Sequence, residues 1–164
     1  MDIRDAGEGD AGGILRIYND AVAHTTAIWN EQLSDIDSRR AWLAERQSSG
    51  YPVLVAAEGS DILGYASFGA FRPWDGYRNT VEHSVYVDGA ARRRGIGHAL
   101  MKELITRARV MRKHVMIAGI EATNEPSLVL HSKLGFAKVG HLHSVGRKFD
   151  RWLDLVFLQL TLVE

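Results

Sequence analysis

Apolar and polar positions along the chain switch between a period of two and a helical period, in the order β-α-α-β-β-β-α-β-α-β-β. Ile3 and Arg4 predict a short opening strand. Asp10 predicts a helix cap, with Ile14, Leu15, Tyr18 and Val22 on one face of a helix running to about Ala23. The segment His24–Leu33 has no period, and its Thr25, Thr26, Ile28 and Trp29 are candidates to pack as a lid or to line a pocket. Ser34 or Asp35 caps a second helix that turns Ile36, Trp42 and Leu43 inward and stops at Gly50. Tyr51–Glu58 and Ile62–Phe71 read as strands around the hairpin turn Gly59-Ser60-Asp61. A polar-aromatic loop, Arg72-Pro73-Trp74-Asp75-Gly76-Tyr77-Arg78-Asn79, precedes Thr80–Val87, a strand rich in β-branched and aromatic residues.

Asp88 and Gly89 end that strand. Ile96, Leu100, Leu104 and Ala108 then recur at helical spacing over Ile96–Met111. Val115–Glu121 is an apolar strand. Asn124-Glu125-Pro126-Ser127 opens a short helix with a capping Asn and an early Pro, ending at Leu134-Gly135. Phe136–Val145 and Trp152–Leu162 are final strands joined by a basic turn, Gly146-Arg147-Lys148. This order predicts one α/β domain over residues 1–164, a mixed sheet with helices on both faces.

Composition narrows the classes. The apolar fraction is 46% and the charged fraction 24%, with formal net charge zero, which gives no global attraction to nucleic acid or to an anionic membrane. No cysteine is present, so disulfides, thiolate metal sites and a catalytic thiol are excluded. The acidic start Met1-Asp2-Ile3-Arg4-Asp5 is no signal peptide, and no run is apolar enough to span a bilayer. The expectation is a cytoplasmic enzyme or binding domain.

The stretch from Arg92 to Gly97 carries the chemistry. Two glycines at a helix entrance let backbone N–H groups approach a ligand, and those first N–H groups have no partner within the helix. The helix dipole favours an anion there, so the turn suits a phosphate or pyrophosphate. Arg92 to Arg94 are also consistent with a tight turn and solvated arginines. A dinucleotide fingerprint fails, because Leu100 stands where its third glycine belongs, and no Gly-Lys-Ser/Thr of a nucleotide P-loop occurs.

What remains, Arg92-x-x-Gly95-x-Gly97 after Val85-Tyr86-Val87, resembles the acetyl-CoA loop of the GNAT family of N-acetyltransferases. The order of elements resembles that family over the whole chain. The wording Val-Glu-His-Ser-Val-Tyr-Val at 81–87, the block Asn124 to Phe136, and Lys148-Phe149 through Trp152-x-Asp154 and Gln159 resemble one branch. That branch acetylates phosphinothricin, L-methionine sulfoximine and L-methionine sulfone.

The resemblance implies a mostly antiparallel sheet that splays between two central strands, here Thr80–Val87 and Val115–Glu121, with the pantetheine arm of CoA in the gap. It implies acetyl-CoA as co-substrate, held by Val85, Tyr86, Val87, Arg93, Arg94, Gly95, Ile96, Gly97, His98, Asn124, Ser127 and Lys133. It implies a small amine substrate near Trp29, Arg72, Trp74, Asp75, Gly76, Tyr77, Arg78, Glu82 and Asn124, and a homodimer with its pocket near the interface. Gly89 departs from the wider family, where proline is common at that place.

An amine attacks a thioester only as the free base. At pH 7 roughly 14% of a peptide α-amine is neutral but only about 0.04% of a lysine amine, so a positioned base is valuable. The branch places that base at Glu82. Many acetyltransferases use a tyrosine to protonate the departing thiolate; His131 stands there instead, and it can donate a proton, hydrogen-bond the sulfur or pack. Arg72 and Arg78 are candidates to fork a substrate carboxylate. His141 and His143 alternate on one strand face without a clear third ligand, so no metal is expected. The reading is direct acetyl transfer from acetyl-CoA to a small amino acid or analogue. The alternatives are the same fold acting on a protein N-terminus or lysine, and a catalytically silent CoA-binding module.

Overall fold

Seven strands form one sheet in the order β1-β2-β3-β4-β5-β7-β6 in the computed structural model, which describes residues 1–163. The elements are β1 (Asp2–Asp5), α1 (Ala11–His24), α2 (Ile36–Ser48), β2 (Val53–Glu58), β3 (Asp61–Ala70), β4 (Thr80–Val87), α3 (Ile96–Val110), β5 (Val115–Glu121), α4 (Glu125–Lys133), β6 (Ala137–Lys148) and β7 (Arg151–Thr161). Every neighbouring pair is antiparallel except β4–β5. The expected mixed sheet with helices on both faces is therefore present.

Two apolar layers hold it. On one face Ile96, Leu100, Leu104 and Ala108 of α3 pack on Leu54, Ala66, Phe68 and Val81. On the other, Ile14 and Ile17 of α1 and Leu43 of α2 pack on Val53, Val55, Ile62 and Tyr65. The helical period of the sequence is what puts these residues on a single stripe of each helix. Gly13 has a packing role: a Cβ there would lie 2.5 Å from Ile62 Cγ1, so α1 can approach β3 only because the position is bare.

Local signals were mostly obeyed. Asp35 caps α2, accepting from Ser38 N–H at 2.8 Å. Asp10 does not cap α1. Its carboxylate is taken by both guanidinium nitrogens of Arg4, at 2.7 and 3.0 Å, and by Gly7 N–H at 2.7 Å. A bidentate charged pair outcompetes a single cap bond.

The last turn also lies elsewhere than expected. β6 runs on through Gly146-Arg147-Lys148, and the hairpin turns at Phe149-Asp150, both left-handed at φ 51° and 57°. Lys148 is fully buried, its Nζ donating to the carbonyls of Thr25 at 2.7 Å and Ile28 at 2.6 Å. A charge so placed needs those acceptors, which fixes the residue inside the strand rather than in a solvated turn.

Candidate active site

β4 and β5 pair only over Thr80–Glu82 and Val115–Ile117. Beyond that point β4 continues to Val87 and β5 to Glu121 without pairing, and the strands part. The gap holds a cavity of about 90 Å³ lined by His83 to Tyr86 of β4, Ala118 to Glu121 of β5, Asn124, Ser127 and His131 from the α4 side, and Ala27. Unpaired strand backbone at such a gap offers hydrogen bonds to an extended ligand arm, as an added strand would.

Glu82 reaches this gap from the face of the sheet that carries Phe157. A Cβ on Gly119 would stand 3.4 Å from Glu82 Oε2 and 3.7 Å from Phe157 Cε1, so the carboxylate leans over Gly119 on the part of β5 that no longer pairs with β4. Burial raises the Glu82 pKa above that of an ordinary glutamate, and the charge of Arg72 opposes the rise. A half-buried carboxylate tuned upward at the mouth of a cleft is suited to take a proton from an amine.

His131 lies on the other side of the seam. It is 2% exposed, its Nδ1 is 2.7 Å from Ser127 O, and its Nε2 is 2.9 Å from Nε2 of His83. The Nδ1 of His83 is 3.1 Å from Ile117 O, the last paired position of the seam on β5. Sequence reasoning passed over His83, although it stands next to Glu82. Alternation along β4 sends the two side chains to opposite faces. It also passed over Glu121, which lines the cavity and accepts from Thr123 N–H at 3.1 Å and from Thr123 Oγ1 at 2.6 Å. Nothing in the sequence distinguishes that glutamate from an ordinary strand end.

The turn before α3 has the conformation its glycine predicts. Gly95 is left-handed at φ 74°, and Arg93 at φ 63° shares that region. Arg93 and His98 are exposed and make no ion pair among the described residues, whereas Arg94 pairs with Glu58. Gly97 has a second role: a Cβ there would lie 3.3 Å from Leu130 Cδ2, so its bareness also seats α3 against α4. Asn124 caps α4 weakly, accepting from Ser127 N–H at 3.4 Å, and Lys133 is exposed near the end of that helix.

The loop from Arg72 to Asn79 divides. Arg72 is close enough for its charge to act on Glu82. Arg78 donates to Asp75 O at 3.0 Å, while its own carbonyl accepts from Lys113, below the closed end of the seam. Trp74 and Tyr77 are exposed, with ring centroids 6.5 Å apart; Asp75 and Gly76 are exposed between them. Trp29 lies flat on Gly146, where a Cβ would meet its ring at 2.2 Å, and its Nε1 donates to Thr26 O at 2.9 Å. The 24–29 segment meets the cavity through Ala27.

A third ligand now stands beside the two strand histidines. Asp154 Oδ2 is 2.8 Å from His141 Nε2 and 3.3 Å from His143 Nδ1, and its Oδ1 accepts from Ser144 N–H at 2.8 Å. These bonds, the backbone one first, hold the Asp154 carboxyl down at about 2. The group satisfies itself by hydrogen bonds and lies outside the cavity lining.

A splayed parallel pair, a carboxylate at its mouth and a glycine turn leading into a helix are joined by a direct match. Residues 3–157 match the family model described as an acetyltransferase (GNAT) domain. This chain belongs to the GNAT acetyltransferase family. It is 54% identical to the L-methionine sulfoximine/L-methionine sulfone acetyltransferase of Pseudomonas paraeruginosa, over 98% of this chain and 94% of that one. The acetyltransferase YncA of Salmonella typhimurium, solved with its cofactor acetyl-CoA, superposes with a TM-score of 0.98 at 52% identity, covering 100% of this chain and 95% of that one. A ribosomal-protein-alanine N-acetyltransferase from Brucella melitensis superposes with a TM-score of 0.96 at 52% identity, over 98% of this chain and 99% of that one. Among the described residues no helix is long and apolar enough to cross a membrane.

Proposed function

We propose that this GNAT acetyltransferase moves the acetyl group of acetyl-CoA onto the α-amine of a small amino acid or analogue of the methionine sulfoximine, methionine sulfone and phosphinothricin class. The observation that carries the reading is the Glu82 carboxylate leaning over Gly119 at the open end of the seam, within reach of the Arg72 charge. A free amino acid brings both an ammonium for Glu82 and a carboxylate for Arg72. Glu82 takes the amine proton, directly or through a water. Backbone N–H groups around Val85–Val87 polarise the thioester oxygen. The 93–98 turn cradles the pyrophosphate. His131 supplies the proton to the departing thiolate. The chemistry is direct attack, with no acyl-enzyme.

The reading includes a cytoplasmic homodimer built on a single domain. Its support is the apolar surface of the last hairpin, where Val139 is 56%, Val145 50% and Trp152 64% exposed, with Trp74 of the substrate loop 64% exposed. A second reading, acetylation of a protein N-terminal alanine, is favoured by the likeness to the Brucella enzyme.

A thiol-release screen tests both. With acetyl-CoA, methionine sulfone, methionine sulfoximine and phosphinothricin are expected to release CoA at least about tenfold faster, as kcat/KM, than an Ala-initiated peptide. One missing charged contact is enough for that factor. A peptide that outruns all three overturns the amino-acid reading. Silence with every amine would leave a CoA-binding module.

A further inference from the structure

Four hydrogen-bond contacts run through His83 and His131: Nδ1 of His83 to Ile117 O at 3.1 Å, Nδ1 of His131 to Ser127 O at 2.7 Å and, more weakly, to the Ser127 hydroxyl at 3.4 Å, and Nε2 to Nε2 at 2.9 Å. A carbonyl oxygen only accepts, so both Nδ1 atoms must carry protons. Two neutral imidazoles have then no proton left, and two bare nitrogen lone pairs would face each other at 2.9 Å. Moving one proton to Nε2 only transfers the conflict to a carbonyl. Each two-proton arrangement leaves one lone-pair contact: with the proton on His131 Nε2, its bare Nδ1 stays 2.7 Å from Ser127 O and has only the Ser127 hydroxyl, 3.4 Å away, as a weak donor; three protons on the two rings leave none.

We propose that His83 and His131 act as one unit holding a single shared proton between their Nε2 atoms, and that His83 is the positioning residue that lets His131 deliver a proton to the CoA thiolate. The inference rests on the donor role given to His131 above. Burial pushes both rings toward the neutral form, His83 to about 3, and His131 repels further charge on it. That opposition weighs against any charge on the pair and most against a double one; what favours a single shared proton is the hydrogen-bond count, with a carbonyl acceptor at each end. The Phe136 ring packs on both imidazoles, at 5.6 and 5.1 Å. The charged groups facing the pair are few. Glu121 shares the cavity lining, and Glu82 approaches the seam from the opposite face of the sheet.

The transfer balances. The Nδ1–H proton of His131 goes to the thiolate as the S–H bond forms, and the shared proton settles on His131 Nε2. His131 is then neutral and donates to the bare Nε2 of His83, which keeps its Nδ1–H on Ile117 O. The freed Nδ1 lone pair faces the Ser127 hydroxyl 3.4 Å away, which can turn its O–H toward it. Water returns one proton before the next turnover.

Nitrogen-15 NMR of the wild-type enzyme labelled in histidine counts these protons without depending on activity; His83→Gln and His131→Gln spectra assign the signals. At pH 7 the expected result is two protonated Nδ1 atoms and two Nε2 atoms with shifts midway between bare and protonated nitrogen. One fully bare Nδ1, or two fully bare Nε2 atoms, overturns the shared proton. The pH profile then tests delivery. His83→Gln should lower kcat about tenfold, a part of the 10²–10⁴ that a general acid contributes, with KM for acetyl-CoA within about twofold. Its basic limb should move to lower pH. A basic limb superposable on that of wild type overturns the role of His83. Full activity in His131→Gln overturns the donor reading itself, whatever the proton count.

Discussion

The two ends of the β4–β5 seam are built from the same two strands and do different things. At the closed end, Thr80–Glu82 and Val115–Ile117 satisfy their backbone groups in a parallel ladder, and Val81 and Met116 are fully buried. At the open end the ladder stops, Gly119 is exposed, and polar groups from both faces of the sheet meet. Glu82 comes from one face, and His83 and His131 from the other. A continuous ladder would leave no room between them. The site is therefore a consequence of where pairing stops, and the last paired residues, Glu82 and Ile117, are the ones that carry the proposed base and hold His83 of the histidine pair.

The strongest way to break the contrast is to remove the base and leave the ladder. Glu82→Gln keeps the shape and is expected to lower kcat/KM at pH 7 by about 10²-fold or more. Wild-type activity should fall off below a limb placed higher than an ordinary glutamate's, because burial raises the Glu82 pKa and the base works only when ionised. The variant lacks that limb, and its deficit should shrink as pH rises and more amine is already neutral. A variant profile parallel to wild type in a thiol-release assay would make Glu82 a structural residue.

A smaller effect sharpens the same comparison. Both arginines enter from the closed end, but Arg72 is close enough for its charge to act on Glu82, whereas Arg78 is turned to Asp75 O and its carbonyl to Lys113. A charge-assisted hydrogen bond contributes about 1.5–3 kcal/mol, so Arg72→Ala should reduce kcat/KM for methionine sulfone by about 10- to 150-fold, mainly through KM. Arg78→Ala should stay within about twofold, as for an ordinary surface change. Esterifying the substrate carboxylate should cost wild type a similar factor and Arg72→Ala little more. Equal losses from both arginines would erase the distinction between the one that acts on Glu82 and the one that does not.

Much of this was legible in sequence because it depends on short-range signals. Period fixed the strands and helices, Asp35 and Gly95 fixed a cap and a left-handed turn, and the wording around Glu82 pointed to a carboxylate that the fold brings beside Gly119. The misreadings came from long-range partners. Asp10 is adjacent to a helix start but faces Arg4 across a loop. Gly146-Arg147-Lys148 reads as a basic turn until the Thr25 and Ile28 carbonyls arrive from 123 and 120 residues away. His141 and His143 lacked a third ligand because Asp154 lies on the next strand, and a break in register between Leu142 and Gly146 is what turns Ser144 N–H toward it. His83 was hidden for a different reason: its meaning is in the proton count of a contact, and only the fold brings His131 to it.

Amide hydrogen exchange with and without acetyl-CoA tests most directly that the open end of the seam is where the donor sits. The account predicts that added acetyl-CoA slows exchange in Val85–Val87, Ala118–Glu121 and the 93–98 turn, and leaves Thr80–Glu82 and Val115–Ile117, already paired, unchanged. Protection that spares the open end, or that falls equally on both ends, would contradict it.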